Sequence, residues 1–372
     1  MKILQVIYES HGNPFGMGGA GVRAYEIYGR LKERHEITFL CMKYPGARDG
    51  ESNGLRHIFV GAESQRLTKS VLAYTIEAAR FVRKHGDSFD VIIENFLPST
   101  PFFSRFLSKT PVVLQVQGVM YGHVFRKFGP LFSFPLYAVE KWYPPLHDKF
   151  IFVSDVTRER VMRGVKRAVK LCRVIPNGIN GELLELTPAE GDYILFFSRI
   201  DAYTKGLDIL LSAFCAVAPR FPGLRLVLAG HEADRFSRLA ADLPADIKER
   251  VTYAGFLTGP DKTALLSGAK MVALPSRHES SPVSIVEAAA CGKALIVSDI
   301  RELSFVGENG FGLSFPSGSA AGLKEKMESL LTDRGLRTEL GRKGREFSRP
   351  FLWDRIANEF ENTLESIVHE EE

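Results

Sequence analysis

The sequence predicts a two-domain α/β protein. Three observations predict it. Short apolar strand candidates alternate with amphipathic helix candidates in both halves, the signature of parallel βαβ units. The 372 residues exceed what one hydrophobic core usually holds. A Pro-Asn-Gly boundary, Val174-Ile-Pro-Asn-Gly-Ile179, falls near the middle of the chain and is followed by a polar, Glu-rich connection up to Gly191.

The start, Met1 to Tyr8, is apolar but reaches Glu9 and His11 too soon for a secretory signal, so it reads as a first strand over Ile3–Tyr8. Further strands are expected at Ile37–Met42, His57–Val60, Val91–Glu94, Val112–Gln117 and Phe150–Ser154. Helices fall between them, notably Gly21–Lys32 and Lys69–His85. The stretch Val119–Leu146 mixes Phe125, Phe128, Phe132, Phe134, Trp142 and Tyr143 with Arg126, Lys127 and Lys141. It reads either as a membrane- or acceptor-facing surface or as ordinary helix and loop packing.

After the boundary a second series opens, with strands at Tyr193–Ser198, Leu224–Ala229, Val251–Ala254, Met271–Leu274 and Ala294–Val297. The tail from Leu352 to Val368 places Trp353, Ile356, Phe360, Leu364 and Ile367 at helical spacing. The expected domains are therefore 1–175 and 176–351, with 352–372 a helix crossing back to the first.

Apolar residues make up 45% and charged residues 25% of the chain, an ordinary folded composition. No run of about 18 apolar residues occurs, so no membrane-spanning helix is expected. Cys41, Cys172, Cys215 and Cys291 are scattered without a C-x-x-C pair, which fits reduced thiols in a cytoplasmic protein. Residues 1–175 carry 26 Lys+Arg against 15 Asp+Glu, and residues 176–372 carry 22 against 29. The basic first half suits an anionic partner such as a lipid diphosphate or the inner face of a membrane, although solvated helix faces alone produce such a bias. Nucleic acid is not an expected partner.

The strongest motif is Pro275-Ser-Arg-His-Glu-Ser-Ser-Pro-Val-Ser-Ile-Val-Glu-Ala-Ala-Ala-Cys-Gly292. A strand ends at Leu274, Ser281 and Pro282 supply an N-cap and a first helical proline, and Gly292 stops the helix. The amides of the first turn, near Val283 and Ser284, would face an anion, so a phosphate is the natural guest. Glu287 lies one turn further on, where its carboxylate can accept ribose hydroxyls. Glu279 precedes the helix, close to whatever the phosphate carries. The plain alternative is a capped helix with a solvated Glu at each end.

A second motif is Ser198-Arg199 to Lys205-Gly206. Arg199 sits at the carboxyl edge of the sheet and Lys205 in the loop before a leucine-rich helix, where the two cations can neutralise a departing diphosphate. The third is Gly16-Met-Gly-Gly-Ala-Gly21, which matches G-x-G-x-x-G. Seven residues separate it from Tyr8, and the second strand offers no acidic residue for a ribose. Gly18 and Gly19 are therefore read as permitting close backbone approach to a ligand rather than as a dinucleotide fingerprint. No Asp-x-Asp, P-loop, H-E-x-x-H or G-x-S-x-G motif occurs, so no metal and no further cofactor is expected and fixed cations must serve.

With these motifs in order, the chain resembles the retaining glycosyltransferases of GT-B fold, family 4, also called glycosyl transferases group 1. The resemblance covers nearly the whole chain and implies two Rossmann-like domains facing a central cleft, with the C-terminal helix crossing back to the N-terminal domain. It implies that Arg199 and Lys205 bind the diphosphate of a nucleotide-diphosphate sugar, that Glu287 holds the ribose and Glu279 the transferred sugar, and that Phe256, after Gly255, passes the nucleobase. The acceptor it implies is a glycan or a lipid-linked molecule. Many family members carry His-Gly after the strand matching Val112–Val116, where this chain reads Gln117-Gly118. Glutamine cannot take up a proton near neutrality. A front-face reaction, in which the leaving phosphate accepts the acceptor's proton, survives that change. A phosphorylase or hydrolase using the same residues, a non-catalytic sugar-nucleotide-binding or membrane-associated scaffold, and an NAD-dependent enzyme are the alternatives.

Overall fold

The computed structural model describes residues 1–127 and 129–369 and divides into two units, Met1–Gly178 with Trp353–Glu372, and Ile179–Leu352. The chain leaves the first unit three residues later than the sequence boundary.

The first unit is an eight-stranded sheet built from β1 (Lys2–Val6), β2 (Glu36–Met42), β3 (Gly50–Ser52), β4 (Leu55–Val60), β5 (Val91–Phe96), β6 (Val112–Val116), β7 (Lys149–Phe152) and β8 (Leu171–Val174). Its order is β3-β4-β2-β1-β5-β6-β7-β8. All neighbours are parallel except β3 and β4, which pair antiparallel. Strands covered on both faces read as continuous apolar runs, and β5 is buried throughout. The short, exposed β3 and the half-polar β8 carry no such run, and neither was expected from sequence.

The helix Gly19–Leu31 and the C-terminal helix Trp353–His369 pack together on one face of this sheet. Ile27, Tyr28 and Leu31 share a core there with Trp353, Ile356, Phe360, Leu364 and Ile367. The Tyr28 and Phe360 rings meet edge to face with centroids 5.7 Å apart. The tail therefore does return to the first unit. Gly178 marks the exit, since a Cβ there would come within 2.5 Å of the Trp353 indole. Phe128, placed by the sequence in the aromatic stretch, lies outside the described residues, as do positions 370–372 of the expected tail.

The second unit is a six-stranded, all-parallel sheet of β9 (Tyr193–Phe197), β10 (Arg225–Ala229), β11 (Val251–Gly255), β12 (Met271–Leu274), β13 (Leu295–Ser298) and β14 (Gly312–Phe315). The order β11-β10-β9-β12-β13-β14 is the doubly wound 3-2-1-4-5-6 arrangement. The strand order reverses between β9 and β12, so ligands are expected beyond the carboxyl ends of those two strands. β14, with Gly312 and Ser314 among its four residues, was not expected from sequence.

Candidate functional site

The candidate site lies on the second unit, beyond the carboxyl ends of β9 and β12, and local chemistry fixes both of its loops. Gly206 has φ +68° and opens the helix Leu207–Val217, and a Cβ there would lie 1.9 Å from the Pro275 carbonyl oxygen. Only glycine lets the loop after β9 lie against the loop after β12. The amide of Arg277 then donates to the Thr204 carbonyl at 2.9 Å. Its guanidinium makes a two-pronged contact with Asp208, at 2.8 and 2.6 Å, and also donates to the carbonyls of Ala202 and Tyr203. The segment carrying Lys205 is thus pinned from both sides.

Lys205 and Glu279 meet directly. Lys205 Nζ lies 2.6 Å from Glu279 Oε1, which also accepts the Ser276 hydroxyl at 2.7 Å. Glu279 is buried. The second carboxylate of the E-x₇-E pattern is matched in the same way: Glu287, buried in the helix Val283–Ala290, accepts Lys262 Nζ at 2.7 Å. Lys262 follows β11 and was missed by the sequence reading. Its only signal there is its place four residues into a helix opened by Thr258-Gly-Pro.

Arg199 follows β9 with its side chain 45% exposed, 3.8 Å from the buried Asp201. Asp201 accepts the Thr204 amide at 2.7 Å and faces Arg235 at 3.6 Å. One buried carboxylate therefore orients two arginines at the strand edge. Gly230, with φ +154°, lets this edge form, because a Cβ there would lie 1.9 Å from the Ser198 carbonyl oxygen.

The helix bearing Ser284 begins one residue later than the sequence suggested. Pro282 occupies the N-cap with no side-chain cap bond, and Val283 is the first helical residue. Ser281 therefore precedes the cap instead of forming it. The physical reason is proline's fixed φ with an extended ψ of 100°, which keeps Pro282 outside the helix. The first-turn amides at Val283 and Ser284 still lack intrahelical acceptors by helix geometry. Beyond β10 and β11, the rings of His231 and Phe256 stack at 3.7 Å with an interplanar angle of 19°, and both residues are exposed.

Gly18, Gly19 and Gln117 belong to the first unit. Glu9, buried just after β1, accepts the amides of Gly18 at 2.9 Å and Gly21 at 2.6 Å. The close approach that the glycines permit is thus to an internal carboxylate: a Cβ on Gly21 would come within 2.5 Å of Glu9 Oε2. Burial raises the Glu9 pKa, and the two amide bonds oppose that rise. Glu9 was missed as a site residue although it is the one acid in the sequence between β1 and the helix Gly19–Leu31. Gln117 Nε2 approaches Asn95 Oδ1 at 3.4 Å, as does Gln115 Nε2. The loop just beyond is held by Glu140, which accepts the amides of Met120 at 2.8 Å and Tyr121 at 2.5 Å.

Two Rossmann-like units, the second with cations, carboxylates and a helix start gathered at its switch point, define the GT-B class of proteins. The family model Glycosyl transferases group 1 matches residues 185–347, and that of Glycosyltransferase Family 4 matches residues 17–183. The chain belongs to this family of GT-B glycosyltransferases. It is 28% identical over 236 residues to the phosphatidyl-myo-inositol mannosyltransferase of Mycobacterium leprae, covering 60% of this chain and 61% of that one. It is 29% identical over 222 residues to the D-inositol 3-phosphate glycosyltransferase of Salinispora tropica, covering 55% and 45%. The chain thus matches under two thirds of the length of these curated relatives. Among solved structures, sucrose-phosphate synthase from Thermosynechococcus elongatus has a TM-score of 0.80 at 21% identity, covering 98% of each chain. Anabaena HepE in complex with UDP and glucose has a TM-score of 0.77 at 20% identity, covering 98% and 100%.

Proposed function

We propose that this protein is a retaining, metal-independent glycosyltransferase that moves a hexose from a nucleotide-diphosphate donor to a glycan or lipid-linked acceptor. This reading is supported by three cations, Arg199, Lys205 and Lys262, each paired with a buried carboxylate, Asp201, Glu279 and Glu287, the last of these on the helix Val283–Ala290 that follows β12. In the proposed reaction the bond between the anomeric carbon and the diphosphate breaks. The acceptor oxygen bonds to the same face of that carbon, and its proton passes to the departing phosphate oxygen. Arg199, Lys205 and the amides of Val283 and Ser284 neutralise the charge that develops there. Glu287 holds the ribose, Glu279 the transferred sugar, and the His231–Phe256 stack carries the nucleobase.

The second unit takes the donor and the basic first unit the acceptor. The absence of any Asp-x-Asp in the sequence supports charge neutralisation by fixed cations rather than a metal. The relatives named for phosphatidyl-myo-inositol and inositol 3-phosphate support a lipid-linked or inositol-bearing acceptor and a hexosyl donor. The test is nucleoside diphosphate release from GDP-mannose and UDP-glucose. Arg199→Ala and Lys205→Ala together should abolish it, and near-normal release by that double variant would sink the assignment. A non-catalytic scaffold would bind the nucleotide but release none.

An anionic membrane surface is the proposed source of a lipid acceptor. No described helix is long and apolar enough to cross a membrane, yet the helix Pro130–Trp142 exposes Leu131 by 93%, Phe134 by 67% and Phe132 by 58%. Lys141, on this helix, lies over the ring of Tyr121, and Arg126 precedes the helix. Apolar side chains next to cations suit the headgroup boundary of an anionic bilayer on the cytoplasmic side. Flotation with liposomes should recover the protein with anionic lipid and lose it in Leu131→Ser/Phe134→Ser. Equal recovery with neutral lipid would remove the charge contribution.

A further inference from the structure

A cavity of about 310 Å³ opens on the first unit. Five aromatic groups line it: His11 after β1, Tyr25 on the helix Gly19–Leu31, Tyr44 after β2, and His57 and Phe59 on β4. The His11 and Tyr25 rings lie 3.9 Å apart, and Tyr44 meets Phe59 edge to face at 5.6 Å. The rim is polar, with Arg48, Asp49, Glu51, Ser52 and Asn53.

The walls are fixed by hydrogen bonds and by stacking, with Tyr25 packed against both His11 and Phe39, the latter at 4.8 Å. Tyr44 donates its hydroxyl to the His11 carbonyl at 2.9 Å, and the His11 amide donates to the Tyr25 hydroxyl at 3.3 Å. Buried His57 sets the orientation of Tyr25. Its Nδ1 lies 2.9 Å from the Leu55 carbonyl and its Nε2 2.9 Å from the Tyr25 hydroxyl, so Nδ1–H donates to the carbonyl and Nε2 accepts from the tyrosine. Burial lowers the His57 pKa, which favours this neutral tautomer. The rim is equally set. Asn53 and Gly54 form the two-residue turn joining antiparallel β3 and β4, both at positive φ, 54° and 75°. Asp49 accepts the Phe59 amide at 2.8 Å, and Lys32 donates to the Asn53 carbonyl at 2.9 Å.

We propose that this cavity binds a neutral saccharide ring, a sugar unit of the acceptor. A diphosphate does not fit, because the rim carries one guanidinium, Arg48, against two carboxylates, Asp49 and Glu51. A purely apolar ligand would make no use of the exposed polar rim. A pyranose satisfies both halves: its C–H face packs on aromatic faces while its hydroxyls donate to carboxylates and accept from guanidinium and amide N–H. The cavity is at the lower end of the size range for small-ligand sites and suits one ring or two. This deepens the acceptor role proposed for the first unit and rests on it for the ligand's place in the reaction.

The test is saturation-transfer NMR on the full chain with methyl α-D-mannopyranoside and methyl α-D-glucopyranoside. Transfer to ring C–H protons is expected, with Kd raised about tenfold by His11→Ala, a loss of about 1.4 kcal/mol. Glu51→Gln, on the exposed hairpin, should weaken binding without touching the wall. Lys205→Ala should leave it unchanged. Absence of transfer with both glycosides overturns the proposal. So does binding indifferent to His11→Ala and Glu51→Gln, binding abolished by Lys205→Ala, or displacement by equimolar tetramethylammonium, which would make the cavity a cation site. Failure of nucleoside diphosphate release alongside normal glycoside binding would overturn only the transferase reading.

Discussion

Lys205 Nζ sits 2.6 Å from Glu279 Oε1, with the glutamate side chain only 4% exposed and the lysine 15%. A cation expected to meet a diphosphate is therefore held, without ligand, by the carboxylate expected to meet the sugar. A buried pair of this kind is costly to break from one side, because the carboxylate left behind has lost its counter-charge. Lys205→Ala should lower folding stability by about 2–3 kcal/mol, with the Ser276 hydroxyl still serving Glu279. Adding Glu279→Gln should restore at least half of that loss. Urea unfolding of both variants reads it, and a single variant as stable as the parent would refute the coupling.

The His231–Phe256 stack should carry sequence-tolerant base binding. Phe256→Ala is expected to weaken UDP and GDP by a similar factor, about tenfold, corresponding to one lost stacking contact. Calorimetric titration would show it, and an effect confined to one base would mean hydrogen bonding rather than stacking.

Gly206→Ala should be among the most damaging small substitutions in the second unit. The new methyl would need the space of the Pro275 carbonyl oxygen, 1.9 Å away, at a φ of +68°. A loss of at least about 3 kcal/mol is expected, accompanied by weaker nucleotide binding because the Lys205 loop moves. Thermal unfolding with and without UDP separates the two effects.

His147 supplies a pH signature. It is fully buried with both ring nitrogens unpartnered among the described residues, and burial lowers its pKa to about 3. The unfolded chain protonates this histidine near the ordinary value of about 6.5 while the folded chain does not. The unfolded state then binds more protons, so stability is lost as pH falls from about 6.5 towards 3. Relative to His147→Gln, the parent should lose on the order of 3 kcal/mol between pH 7 and pH 4. Parallel stability curves for the two proteins would count against a neutral buried imidazole.

Much of the fold was legible because parallel strands covered on both faces must be apolar. β9 and β12 are read directly from Tyr193–Phe197 and Met271–Leu274, and Gly206 and Gly292 punctuate the helices that follow. The elements that escaped are those whose sequences carry little apolar signal. β3 is three exposed residues, Gly50–Ser52, and exists because the Asn53-Gly54 turn folds it back onto β4.

The sequence by itself determined the chemistry available at the switch point: two cations, two carboxylates with seven residues between them and a helix start, at spacings set by strand and loop lengths. Tertiary structure alone decided who meets whom. The Lys262–Glu287 pair spans 25 residues and the Lys205–Glu279 pair 74. The amides of Gly18 and Gly21 went to Glu9, a carboxylate of the same chain. Local pattern sets which face of a helix or strand is apolar, but charge pairing depends on distances across the sheet edge. Those distances exist only once strand order is fixed.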